Sequence, residues 1–195
     1  MSRTAGMKRE TKETQIELVL DIDGQGNADV STGIGFFDHM LNGFAKHGFY
    51  DLKLKATGDL DVDGHHTVED TGIVLGKAIA EAVGDKKGIC RYGSFTLPMD
   101  DALVLCSVDL CGRPYYECDA EFNEQYCGSF ETTLVNEFFY AVSYSGAMNL
   151  HFKVLSGHNA HHIIEAMFKA FAKALDMATT LDPRVRDVLS TKGSL

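Results

Sequence analysis

Alternating and helical patterns of apolar residues run through the whole chain. Runs with partial two-residue alternation predict four strands, at residues 16–23, 51–56, 102–110 and 150–155. Apolar residues at helical spacing predict four helices, at residues 36–47, 65–83, 131–144 and 161–178. Gly48 is expected to stop the first helix. Strands and helices mixed in this order indicate an α+β fold with helices packed on sheets.

The chain also resembles itself. The segment GHHTVEDTGIVLGKAIAEAV aligns with AHHIIEAMFKAFAKALDMAT, and ELVLDIDGQG aligns more weakly with LCSVDLCGRP further upstream. The first alignment matches His65 with His161, His66 with His162 and Glu69 with Glu165. We therefore expect a single domain over residues 1–195, built of two pseudo-repeats at approximately 8–97 and 98–180. The basic tail from Asp182 onward could be a disordered end or an arm that covers the substrate.

Composition excludes several classes of function. The formal net charge of −10 disfavours binding to nucleic acid or to anionic membranes. The sequence has no apolar run of the roughly 20 residues that span a bilayer, and its polar start predicts no signal peptide. The five cysteines are odd in number and lack CxxC spacing, which is typical of reduced thiols in a cytoplasmic protein.

The two His-His-x-x-Glu motifs are the strongest sign of chemistry. On a helix, residues three or four apart share a face, so Glu69 can join a histidine of its pair, and so can Glu165. Adjacent histidines project about 100° apart, so two pairs imply two ions more naturally than one. His39 aligns with Glu137, and both groups can bind metal. Imidazole with carboxylate favours Mn, Fe, Co or Zn.

With these motifs in place, the chain resembles the imidazoleglycerol-phosphate dehydratases. The most specific blocks are DHML, HHTVED and HHIIEA, and further matches include KGICRYGSFTLPMDDALV, DLCGRPY and the terminal STKG. Together the matching segments cover nearly the whole chain.

The resemblance implies a fold, an assembly and a reaction. It implies two similar halves, each a mixed β-sheet packed against a pair of helices, as in the ribosomal protein S5 domain 2-like fold. It implies trimers that assemble into a 24-mer, and two Mn2+ ions per active site, with other divalent transition metals as alternatives. The implied reaction is a hydro-lyase step of L-histidine biosynthesis, in which imidazole glycerol phosphate loses water to give imidazole acetol phosphate.

The resemblance also implies roles for individual residues. By motif match the metal ligands are His39, His65, His66, Glu69, Glu137, His161, His162 and Glu165, with Glu137 standing where the best-known members of the family have histidine. The residues that bind substrate are Glu13, Arg91, Arg113, Ser190, Thr191 and Lys192. The catalytic residues are Glu13, His65, Glu69, His161 and Glu165.

The chemistry explains why these groups are needed. The proton that is removed lies on a carbon without an adjacent carbonyl, so a metal must lower the proton affinity of the substrate's imidazole and favour an imidazolate or diazafulvene-like intermediate. Glu13 or another carboxylate of the site relays the proton. Which ligand serves which ion, and which ligands come from neighbouring subunits, stays open at this point.

Two other interpretations compete with this one. LVLDIDGQG mimics the signature of aspartyl-phosphate phosphatases, which would make Asp21 a nucleophile. Against it, Asp21 and Asp23 fit the polar face of an edge strand, and the phosphatase interpretation leaves both His-His-x-x-Glu motifs without a role. In the second alternative, the histidines bind metals that only hold subunits together.

Overall fold

A computed structural model describes residues 3–195, so the first two residues of the expected 1–195 domain lie outside the described part. The strands of the first half are β1 (Thr4–Glu10), β2 (Thr14–Asp21), β3 (Ala28–Ser31) and β4 (Asp51–Gly58), and its helices are α1 (Gly35–Gly48) and α2 (His65–Val83). The second half contains β5 (Tyr92–Met99), β6 (Ala102–Asp109), β7 (Tyr115–Cys118), a small hairpin of β8 (Tyr126–Cys127) and β9 (Phe130–Glu131), α3 (Leu134–Ser145), β10 (Asn149–Ser156) and α4 (Ala160–Thr179).

The two four-stranded sheets have the same topology. Their strand orders are β1-β2-β4-β3 and β5-β6-β10-β7. In each sheet the central pair is antiparallel, and a short strand joins one edge in parallel. The predicted α+β fold of two similar halves is therefore confirmed. The shared strand order assigns β5 to the second half, so the division between the halves lies between Val83 and Tyr92.

Helices from the two halves pack against each other. The long helix α2 lies on the first sheet and α4 lies on the second. The shorter helices cross over, because α1 packs on α4 and α3 packs on α2. Aromatic rings fill the contact between α1 and α4, with Phe37 edge-on to Phe168 and Phe44 stacked on Phe171. Each helix pair thus combines side chains from both halves of the sequence, which decides where the site residues meet.

One local expectation was confirmed and another was wrong. The first helix ends at Gly48 as expected, although Phe49 rather than the glycine adopts the left-handed conformation, with φ of 59°. Gly48 has a packing role as well, since a Cβ at this position would lie 2.1 Å from Cε2 of the buried Tyr50. The expectation of an edge strand was wrong, because β2 lies between β1 and β4. None of the helices in residues 3–195 is long and apolar enough to cross a membrane.

Candidate active site

Helices α1 and α4 bring three metal-capable side chains together. His39 comes from α1 of the first half, whereas His161 and Glu165 occupy the first turns of α4. Glu165 Oε2 lies 3.2 Å from His161 Nε2 and 3.8 Å from His39 Nε2. Both histidines are exposed, while Glu165 is only 9 % exposed. Within residues 3–195, this trio is the one group of three such residues whose ligand atoms all lie within 4.8 Å of one another.

Lys169 holds the carboxylate of this trio. Its Nζ lies 2.7 Å from Glu165 Oε1, one helical turn further along α4. Burial opposes the ionisation of Glu165, but the hydrogen bond and charge of Lys169, together with the two histidines, outweigh burial and lower the pKa of Glu165. Glu165 is therefore a carboxylate whose Oε2 is turned towards the imidazoles.

The equivalent residues of the first half form a looser group. His65 Nε2 lies 3.8 Å from Glu69 Oε2 on α2, and both side chains are about two-fifths exposed. Glu137 occupies the first turn of α3, which packs on α2, but within residues 3–195 its side chain forms neither a hydrogen bond nor an ion pair. The position corresponding to Lys169 is Ile73, so Glu69 has no lysine partner. Glu69 thus lies beside His65, and within residues 3–195 no ion pair joins Glu137 to that histidine.

The second histidine of each pair has an aspartate partner. Nδ1 of His66 lies 3.0 Å from Asp59 Oδ2, and Nδ1 of His162 lies 2.6 Å from Asp101 Oδ1. These hydrogen bonds are the main reason that the pKa values of His66 and His162 are raised. Neither His66 nor His162 belongs to the trio.

Glu13 lies in the tight turn between β1 and β2. Its N–H donates to Thr11 Oγ1, and its carbonyl oxygen accepts from Asp59 N–H at 3.1 Å. The turn is fixed to α2 by the buried Asp70, which accepts from Thr14 Oγ1 and lies 2.8 Å from the Arg9 guanidinium. The pKa of His66 is raised mainly by its hydrogen bond to Asp59, and the negative charge of Glu13 adds to this effect.

The predicted phosphate-binding residues line a separate cavity of about 710 Å³. They are Arg91, Arg113, Ser190, Thr191 and Lys192, joined by the chain terminus. Arg91 donates to both oxygens of Asp109, at 2.7 and 3.1 Å, and to the carbonyl of Leu189 at 2.6 Å. These contacts hold the tail against the second half, and two of the five guanidinium N–H groups of Arg91 remain for a ligand.

The trio and the cavity lined by Arg91, Arg113 and Lys192, here called the cationic cavity, lie at opposite ends of α4. Arg91 N–H donates to the carbonyl of Ala178 in the last turn of the helix, whereas His161 is in its first turn. At 1.5 Å per residue this separation is about 25 Å. A small substrate cannot bridge it, so both groups cannot act on one molecule within a single chain.

Several residues of these groups were missed in the sequence. Asp59 and Asp101 lie in acidic segments outside the two His-His-x-x-Glu motifs, and only folding shows that each meets a histidine. Asp70 ends the HHTVED block, but its contacts with Thr14 and Arg9 also follow only from folding. Lys169 did have a signal, since it follows Glu165 by four residues on one helix face. His47, left outside the predicted site, is an exposed residue near the end of α1, where desolvation and the positive charge of Lys169 lower its pKa.

The donor set of the trio fits a transition metal. Bonds of about 2.0–2.2 Å from one ion to nitrogen and oxygen place the ligand atoms up to about 4.4 Å from one another. The separations of 3.2 and 3.8 Å agree with this range. Two imidazoles and a carboxylate without a thiolate suit Mn, Fe, Co or Zn. The duplicated α+β fold and this group together define a protein with a candidate transition-metal centre.

Comparisons with known proteins agree along the whole chain. The family model described as imidazoleglycerol-phosphate dehydratase matches residues 32–175. A protein of that name from Lachnoclostridium phytofermentans is 62% identical over 195 residues, covering 100% of both chains, and one from Acetivibrio thermocellus is 58% identical with the same coverage. The crystal structure of the Staphylococcus aureus dehydratase is 38% identical with a TM-score of 0.83, covering 92% of this chain and 99% of that one. The structure from Pyrococcus furiosus, in complex with (S)-C348, is 40% identical with a TM-score of 0.84 and coverage of 97% and 100%.

The chain therefore belongs to the imidazoleglycerol-phosphate dehydratase family. Membership in this family contradicts the phosphatase interpretation of Asp21. That aspartate ends the central strand β2, beside Thr4 and Asp51 of the neighbouring strands, and its carboxylate accepts from Asp23 N–H.

Proposed function

We propose that the protein is a hydro-lyase of histidine biosynthesis that converts imidazole glycerol phosphate to imidazole acetol phosphate. Full-length identity to dehydratases of that name supports the reaction class. The observation that carries the chemistry is the trio of His39, His161 and Glu165, whose donor atoms lie close together at the N-terminal end of α4.

Two Mn2+ ions per active site are part of the proposal, with other divalent transition metals as alternatives. His39, His161 and Glu165 would hold one ion, and His65 with Glu69 would contribute to the second, with His66, His162 and Glu137 as further ligands. When bound, such ions supply Lewis acidity that lowers the proton affinity of the substrate's imidazole ring. Glu165, kept ionised beside Lys169, supplies negative charge to the ion without having to lose a proton first.

The cationic cavity would bind the substrate's phosphate. Guanidinium groups match phosphate oxygens in a bidentate fork, and Arg91 and Arg113 both line this cavity. Ser190, Thr191 and Lys192 of the tail add hydroxyl groups and a further charge. In the proposal the tail covers the substrate once the phosphate is bound.

Glu13 would move the proton. The reaction takes a proton from the carbinol carbon next to the phosphate-bearing carbon, and hydroxide leaves from the carbon attached to the ring. The resulting enol becomes the ketone when a proton returns to the carbon next to the ring. Glu13 is exposed on a turn that Thr11, Thr14 and Asp70 keep in place, so its carboxylate is available to accept the first proton.

Replacing Glu13 with glutamine is expected to lower kcat by more than tenfold, because the amide cannot accept the proton that general-base catalysis requires. Steady-state kinetics over a range of pH would measure this loss. Glu10→Gln is the matched control, since Glu10 is an exposed residue of the same hairpin and should retain normal turnover. Equal turnover of wild type and Glu13→Gln would exclude Glu13 as the proton relay.

An oligomeric site is also part of the proposal. Because the trio and the cationic cavity lie about 25 Å apart along α4, a complete site needs the trio of one subunit beside the cationic cavity of another. Trimers that assemble into a 24-mer would supply such neighbours. We further propose a cytoplasmic location, which the five free cysteines support.

An assay of purified protein tests the proposed function. Manganese-loaded protein should form imidazole acetol phosphate from imidazole glycerol phosphate, and removal of the metal with a chelator should stop turnover until Mn2+ is restored. Metal-loaded protein that remains assembled but forms no ketone would contradict the proposal. It would favour the alternative in which the metals only join subunits.

A further inference from the structure

The two members of each histidine pair use different ring nitrogens. The first member turns Nε2 towards the glutamate one turn along its helix, at 3.8 Å for His65 and 3.2 Å for His161. The second member instead turns Nδ1 towards an aspartate. The ring centroids within a pair lie 6.1 and 6.0 Å apart. The two rings of each pair therefore face different carboxylates.

Asp59 fixes the orientation of the His66 ring. Its two carboxylate oxygens lie 3.0 and 3.2 Å from Nδ1. An ionised carboxylate can only accept hydrogen bonds, so Nδ1 carries the proton, and in the neutral ring Nε2 keeps its lone pair. His66 is about one-third exposed. The Asp59 N–H in turn donates to Glu13, which fixes the aspartate to the turn between β1 and β2.

Asp101 does the same for His162 from another part of the chain. One oxygen lies 2.6 Å from Nδ1, and the other accepts the N–H groups of His158 and Asn159, at 2.6 and 3.2 Å. Asp101 is therefore held by the loop that leads into α4. Asp100, its neighbour in the turn between β5 and β6, lies 3.4 Å from Nε2 of His162, and its side chain is 71% exposed, so an ion bound at Nε2 would displace or share this carboxylate.

The two aspartates do not derive from the duplication. Asp59 precedes His66 by seven residues in the loop after β4, whereas Asp101 is 61 residues from His162 in a different loop. The segment SGHNAHH, which leads into the second pair, contains no acidic residue. The two halves therefore reach the same contact, an aspartate oxygen on Nδ1 of the second histidine, from different segments.

We propose that Asp59 and Asp101 are positioning residues that orient His66 and His162 so that Nε2 of each ring is available to a transition-metal ion. This inference rests on the metal-dependent part of the proposed function. A carboxylate on the second nitrogen of a ligand histidine fixes the tautomer and raises the basicity of the ligating nitrogen. Asp59 and Asp101 need not touch the metal or the substrate to have this effect.

Mn2+ binding to the metal-free protein tests the proposal independently of turnover. Asp59→Asn and Asp101→Asn should each raise the dissociation constant of a Mn2+ site about 10- to 100-fold, because the amide keeps a hydrogen bond to Nδ1 but removes the negative charge. Asp59→Ala and Asp101→Ala, which remove the bond as well, should lose at least as much affinity. Asp61→Asn is the control, since Asp61 is exposed in the same loop as Asp59 and should bind Mn2+ like the wild type. Calorimetric titration would give affinity and stoichiometry, and thermal unfolding of the metal-free variants would show that they are folded.

A second measurement needs no variant. Nitrogen NMR shifts of the metal-free wild type should show protonated Nδ1 at His66 and His162. The opposite tautomer at both rings, or unchanged Mn2+ affinity in both pairs of variants, would overturn the inference. A wild-type protein that binds no Mn2+ at all would instead contradict the metal-dependent part of the proposed function.

Discussion

Replacing His161 with alanine is expected to lower turnover about 1,000-fold and to remove one metal ion per chain. His161 Nε2 lies 3.2 Å from Glu165 Oε2, and without the imidazole only His39 and the carboxylate remain of the trio. A catalytic metal contributes several kcal/mol to the stabilisation of a transition state, and each 1.36 kcal/mol corresponds to about tenfold in rate. Metal analysis by mass spectrometry and steady-state kinetics would measure the two effects on the same preparation.

His158→Ala is the matched control for this experiment. His158 is an exposed histidine in the loop before α4, and within residues 3–195 only its backbone atoms take part in hydrogen bonds. Its replacement should leave metal content and turnover unchanged. If His161→Ala kept its full metal content and rate, the trio would not be the metal centre.

Two inactive variants should recover activity when they assemble together. His161→Ala disrupts the trio but leaves the cationic cavity intact, whereas Arg113→Ala weakens the cationic cavity but leaves the trio intact. If each active site takes its trio and its cavity from different subunits, a 1:1 mixture of the two chains should contain intact sites. Random assembly would make about a quarter of the sites complete. Coexpression with two different affinity tags, followed by purification through both, would isolate the mixed oligomer for kinetics.

Each variant alone, carried through the same two-tag procedure, is the control and should remain nearly inactive. The His158→Ala and Arg113→Ala pair should regain about half of the sites, since all of its chains carry an intact trio. Mixed His161→Ala and Arg113→Ala oligomers that are no more active than either parent would contradict a site shared between subunits.

The repeated long elements could be predicted from the sequence because their patterns are strong. The continuous apolar face of α4 and the helical spacing of apolar residues in α2 predict both helices. The two His-His-x-x-Glu motifs indicate the duplication. The strand β2 was predicted from its alternation, which follows one buried face.

Other parts of the fold lacked a local pattern. The short strands β3 and β7 are four residues long and contain no buried residue, and each pairs with the edge of a longer strand, β4 or β10. The strand β5 combines glycine and proline with exposed residues, and Gly93 lies so close to the backbone of Ala174 that a side chain would not fit. Such contacts depend on tertiary structure rather than on propensity.

The site was predictable residue by residue but not as an arrangement. Motifs located the histidines and Glu165, yet the crossing of α1 onto α4 decides that His39 joins His161 rather than His65. The partners Asp59 and Asp101 come from loops at different sequence distances, so no spacing rule reveals them. The 25 Å separation along α4 follows only from the paths of β5 and the tail.

A crystal structure of the manganese-loaded protein, with an anomalous difference map to locate the metal ions, tests the central claim most directly. The account predicts a Mn2+ ion bonded to His39, His161 and Glu165, and a second ion with His65 and Glu69 among its ligands. Next to them it predicts the arginines of a neighbouring subunit. Anomalous density absent from the trio in fully loaded protein, or an Arg91–Arg113 cavity directed away from every metal ion of the assembly, would contradict it.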